Sequence, residues 1–92
     1  MDLEDFHRPD WWDWELDFGQ PHVWDQMIRR GFNETDIREM YAGAQGYHPD
    51  CEPGRWAVEA RKEGQPWEII VEPQYNTFRL LVITAYKVQR LK

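Results

Sequence analysis

From Trp12 to Phe18 the chain alternates strictly between apolar and acidic residues, in the order Trp12-Asp13-Trp14-Glu15-Leu16-Asp17-Phe18. A period of two marks a half-buried strand, with Trp12, Trp14, Leu16 and Phe18 turned inward. The acids opposite form a row that repels a neighbouring edge, so this strand is expected at the outside of a sheet. The period then lengthens. Val23, Trp24, Met27 and Ile28 make one apolar stripe at helical spacing. Pro21 suits the first helical turn, Arg29 and Arg30 suit the last, and Gly31 is a left-handed stop. Asn33 heads a second helix, with Asp36 in a capping-box position and Ile37, Met40, Tyr41 and Ala44 on one face.

Residues 45–54, QGYHPDCEPG, hold two Pro and two Gly and read as a loop. Alternation resumes at Arg55, with Trp56, Val58 and Ala60 on one side and Glu59 and Arg61 on the other. A turn at 62–66 leads to the inward row Trp67, Ile69 and Val71, opposite Glu68, Ile70 and Glu72. Pro73 ends that run, and a polar tip precedes a last strand from Phe78 to Val88. There Leu80, Leu81, Val82 and Ile83 break the alternation, which implies cover on both faces. The predicted order is β-α-α-β-β-β, an α+β fold with an antiparallel sheet: a meander at the C-terminus, two helices packed on one face, and the first strand beside the last.

Composition adds little to this until charge is located. The chain has 92 residues, which fits one domain over 11–92 behind a flexible acidic tail over 1–10. Six Trp, four Tyr and four Phe supply large rings for a small core. The formal net charge is −6, but residues 1–18 hold seven acids and one base, while residues 19–92 hold ten of each. The imbalance thus lies in the N-terminal segment, and the neutral body leaves room for a local basic groove. No run of about 18 apolar residues exists, so no membrane helix is expected. The lone Cys51 precludes an internal disulfide and fits a reducing, cytoplasmic setting.

In this order, WELDF, His22 at a helix head, RRGFNETDIREM, YHPD, EPGRWAVEAR, PWEIIVEPQ and LLVITAYKV resemble a bacterial domain-of-unknown-function family of the RelE/ParE-like toxin superfamily (the barnase, EndoU, colicin and RelE group). The likeness spans about residues 11–90. It implies a RelE/ParE-like fold, a toxin–antitoxin setting with an antitoxin or other protein partner, and metal-independent ribonuclease activity.

Metal-independent RNA cleavage needs a base, an acid and cations around a charged phosphorane. His22, Arg61 and Tyr86 are the candidate catalytic residues, with Arg29, Arg30, Arg79 and Lys87 as candidate RNA contacts. Each has a plainer reading: a helix-start polar group for His22, a cross-strand partner of Glu59, Glu68 or Glu72 for Arg61, helix-end charges for Arg29 and Arg30, and solvated side chains for Arg79 and Lys87. His48, Asp50, Cys51 and Glu52 could each bind a metal, but Pro49 and the tight spacing make joint coordination awkward, so neither metal nor cofactor is expected. Of Trp11, Trp12 and Trp14, one or two rings are expected in the core, and the remainder, with Trp11, Trp12 and Asp13 as candidates, suits a basic partner protein or a homodimer contact. The alternative to a ribonuclease is therefore a non-catalytic interaction module on the same scaffold.

Overall fold

The structure, a computed structural model, describes residues 8–88. Residues 1–7 of the expected tail and residues 89–92 lie outside them. The elements are β1 (Glu15–Asp17), α1 (Pro21–Arg30), α2 (Glu34–Ala42), β2 (Gly46–Pro49), β3 (Trp56–Lys62), β4 (Gln65–Gln74) and β5 (Arg79–Lys87). The five strands form one mixed sheet in the order β1-β5-β4-β3-β2. Every pair is antiparallel except β1 with β5, which run parallel because the two helices carry the chain back between them, so the sheet is mixed rather than the antiparallel one expected. The α+β class and the two helices are as the pattern implies. No helix among the described residues is long and apolar enough to cross a membrane.

Both helices follow their local signals. Gly31 ends α1 at φ 73° and its N–H reaches the Met27 carbonyl. Asn33 and Asp36 form a reciprocal capping box, each side chain accepting from the other's backbone N–H at 2.9 Å. Helix α1 packs against β5 and α2 against β3. Their buried side chains, Val23, Met27, Ile37 and Met40, join Val58, Ala60, Ile69, Val71, Leu80, Val82 and Ala85 in one core. Of the stripe expected on α1, Trp24 and Ile28 are exposed, because only the Val23–Met27 line faces the sheet. The Trp24 indole N–H instead donates to the Phe18 carbonyl at 2.7 Å.

Three departures from the expected pattern matter for function. First, the strand expected over 12–18 shrinks to Glu15–Asp17. The Trp12 N–H bonds the Pro9 carbonyl and the Trp14 N–H bonds the Trp11 carbonyl, so the chain turns there rather than extends. Second, the loop read over 45–54 contains β2, which pairs with β3 from Gly46↔Glu59 to Pro49↔Trp56. Pro49 is tolerated because β2 is an edge strand. The order is therefore β-α-α-β-β-β-β. Third, Ile70 pairs with Thr84 while Val71 pairs with Val82, leaving Ile83 as an extra residue on β5. This bulge resets the alternation: Leu80 and Val82 face the core before it and Ala85 after it. It accounts for the unbroken apolar run, and it turns Thr84 and Tyr86 to the opposite face of the sheet.

Candidate functional site

That opposite face carries no helix among the described residues; its exposed side chains are largely polar, and Ala57 and Ile70 lie buried among them. Its layout follows from one turn. Strands β3 and β4 are joined by Glu63 and Gly64, at φ 53° and 77°, the positive-φ pair of a tight hairpin. A two-residue turn fixes the register, so Lys62 pairs with Gln65 and Glu59 stands directly opposite Glu68. Tyr86 lies beside Glu68 on β5.

Two carboxylates in direct opposition destabilise a sheet unless something lies between them. Here His48 of β2 does so. Its Nδ1 is 2.8 Å from Glu59 Oε2, and its Nε2 is 3.5 Å from Glu68 Oε2. The Tyr86 hydroxyl donates to Glu68 Oε1 at 2.9 Å. Burial first, then this hydrogen bond and the nearby charges of Glu68, Asp50 and Cys51, push the Tyr86 hydroxyl up to about 12. Tyr86 thus stays a hydrogen-bond donor across the ordinary pH range.

A groove of about 430 Å³ borders this cluster, lined by Glu59, Arg61, Pro66 and Glu68 together with Gln45. Arg61 is exposed and reaches the Gly64 carbonyl at 3.4 Å. Further along the face, Arg55 pairs with Glu72 at 3.1 Å, and Arg79 with Asp17 at 3.3 Å. The Glu59–Glu68 pair, next to the buried Ala57 and Ile70, therefore makes this part of the face acidic. His48 directs its two ring nitrogens at two different carboxylates. Among the described residues, no three His, Cys, Asp or Glu side chains are grouped to hold a metal ion.

The residues singled out in the sequence divide between the two sides of the sheet. Arg61 and Tyr86 share the polar face. His22 is exposed on α1, which packs on the core side, so the sheet separates it from them. Arg29 is exposed at the end of α1, while Arg30 donates to the Ala85 carbonyl at 2.7 Å and is committed to the sheet backbone. Arg79 is held by Asp17, and Lys87 is exposed at the end of β5.

The segment proposed to meet a partner needs correction. Trp11 and Trp12 are only 2% and 4% exposed and belong to the core, so they offer no docking surface. Trp11 packs on Trp12, Tyr47 and Trp56 with ring centroids 5.5–5.8 Å apart. Trp12 stacks on Tyr41, whose hydroxyl donates to the Trp12 carbonyl. Asp13 remains exposed.

The pattern reading overlooked the pairing of Glu59 with Glu68, although the Glu63-Gly64 turn carries the signal for it. From sequence, His48 reads as a metal-ligand candidate in a loop; the structure sets it on β2, aimed at both carboxylates. The fold and this face together define a small α+β protein of two helices on a five-stranded mixed sheet with an acidic open side. No protein-family model, curated protein or solved structure matches the chain.

Proposed function

We propose that this chain is a protein-interaction module on a RelE/ParE-like scaffold, and that its partner is basic. The observation that carries the reading is the direct opposition of Glu59 and Glu68 on the open sheet face. Phosphate is repelled by two facing carboxylates, whereas a cationic side chain is drawn to them. The separation of His22 from Arg61 and Tyr86 points the same way, since a base or acid on the far side of a sheet cannot share a phosphodiester with them. The scaffold reading rests on the two helices covering one side, on the C-terminal meander and on the first strand lying beside the last.

A metal-independent ribonuclease of a toxin–antitoxin system is the second reading. One observation favours it: His48, Glu68, Arg61 and Tyr86 share the face beside the groove. There His48 would pass protons and Arg61 would hold the phosphorane charge.

One experiment separates the two. The purified protein, Arg61→Ala and His48→Ala are each incubated with total RNA in chelator and, separately, titrated with a labelled basic peptide. The interaction reading expects intact RNA with all three proteins and salt-sensitive peptide binding by the unaltered chain. RNA cleavage that disappears in Arg61→Ala or His48→Ala overturns it in favour of the ribonuclease.

A further inference from the structure

The turn between β4 and β5 pairs an unusual backbone with an unusual surface. Tyr75 to Phe78 close the hairpin, and the Gln74 carbonyl accepts from the N–H of Thr77 at 3.2 Å and of Phe78 at 2.8 Å. This geometry requires a left-handed residue at its last position, and Phe78 occupies it at φ 57°. Glycine or asparagine usually stands at such a position, because a bulky side chain is strained there. Burial of the ring does not offset that strain, since Phe78 is 64% exposed. Tyr75 beside it is 57% exposed. Both rings stand edge-on to Trp14, with centroids 5.0 and 5.3 Å from it. Three rings from two separate segments therefore form one open aromatic surface.

Its surroundings are negative. The Tyr75 hydroxyl donates to Asp10 Oδ1 at 3.2 Å, and the exposed carboxylates of Asp13 and Glu15 flank Trp14 in the chain. The base next to Phe78, Arg79, is paired with Asp17. Aromatic faces attract guanidinium and ammonium groups, and neighbouring carboxylates strengthen that preference.

We propose that Trp14, Tyr75 and Phe78 form the docking surface for an arginine side chain of a basic protein segment. This rests on the interaction reading above and places the contact at the hairpin tip rather than on the sheet face. A strained aromatic residue held in the open is accounted for by what it binds.

The test uses a fluorescently labelled peptide alternating Arg and Gly. The full chain is compared with Phe78→Gly, Tyr75→Ala and a Glu59→Gln/Glu68→Gln variant, and each melting temperature is measured. Phe78→Gly is expected to melt no lower than the unaltered chain, because glycine suits the turn, and yet to bind about fivefold more weakly. Tyr75→Ala is expected to weaken binding similarly, and the Trp14 indole resonance to shift on titration. Unchanged affinity in both tip variants overturns the proposal. If affinity is lost in Glu59→Gln/Glu68→Gln instead, the tip is excluded while the interaction reading stands. Peptide binding absent throughout, together with RNA cleavage, removes both. A lower melting temperature for Phe78→Gly makes the ring a packing residue and overturns the proposal. So does a dimer that dissociates on the same substitution, which makes a second copy the occupant.

Discussion

Replacing Trp11 by alanine decides whether the N-terminal aromatic segment is surface or core. The ring is 2% exposed and touches three other aromatic rings. An indole of ~200 Å² at ~25 cal/mol per Å² gives about 5 kcal/mol as an upper bound. Measured losses for Trp→Ala in cores run from about 3 to 5 kcal/mol. A small domain has a total stability on the order of 5–15 kcal/mol, so this single change removes a large share of it. At roughly 4–8 °C per kcal/mol, the melting temperature should fall by about 12 °C or more. Urea unfolding followed by far-ultraviolet circular dichroism measures the loss without relying on tryptophan emission. Should Trp11→Ala leave no folded protein, Trp11→Phe keeps the test open, with an expected loss of about 1–3 kcal/mol for a ring that no longer fills its site. A loss under about 1 kcal/mol for Trp11→Ala would refute the placement of this ring in the core and restore the segment as a surface.

Tyr86 makes stability sensitive to high pH. Its hydroxyl is raised to about 12 in the fold, against roughly 10 in an unfolded chain. Its contribution is therefore fully present below about pH 10 and is lost as pH climbs towards 12. Tyr86→Phe should flatten that decline in an unfolding series across the same window, while Tyr41, also raised by burial, keeps part of it in place; an unchanged decline would refute the assignment. His48→Ala should cost no more than about 1 kcal/mol, since the His48 and Glu59 side chains are 45% and 55% exposed. Adding Glu59→Gln should recover that loss by removing one of the facing carboxylates, and two strictly additive losses in a double-mutant cycle would show that His48 does not bridge them. Asn33→Ala should lower stability by about 1 kcal/mol in thermal or urea unfolding, because one half of the capping box disappears; a neutral result would mean that the box adds nothing.

The helices were legible because their signals are local. Gly31, Asn33 and Asp36 each act within one turn of chain, and the structure places them as the pattern implied. The strands were legible where alternation was long, as in β3 and β4. The N-terminal strand misled because Trp11 and Trp12 are neighbours that both enter the core, and only a turn allows that. A period-two pattern cannot tell such a turn from a strand when the residues after it do alternate. Strand β2 escaped because Pro49 and Gly46 argue for loop, and its pairing comes from a strand that starts only at Trp56. The chemistry was legible only in part. Arg61 and Tyr86 share a face, but nothing in the spacing links His22, at a helix head, to the far side of the sheet.

The Glu59–Glu68 pair on the open face was within reach of the sequence. Glu63-Gly64 between two alternating runs marks a two-residue hairpin, and such a turn pairs residues whose positions are symmetric about it. Lys62 then faces Gln65, and three steps further Glu59 faces Glu68. Both fall on the outward parity of their strands. A facing Glu–Glu pair requires a neighbouring proton or cation donor, which should direct attention to the nearest histidine. One contributor lay beyond this reasoning. Continued from Leu80 and Val82, alternation would bury Tyr86 in the core, and only the extra residue at Ile83 turns it to Glu68. A bulge leaves no residue signature in so apolar a run, so the acid pair can be read from the turn, whereas the hydroxyl that completes the cluster requires the structure.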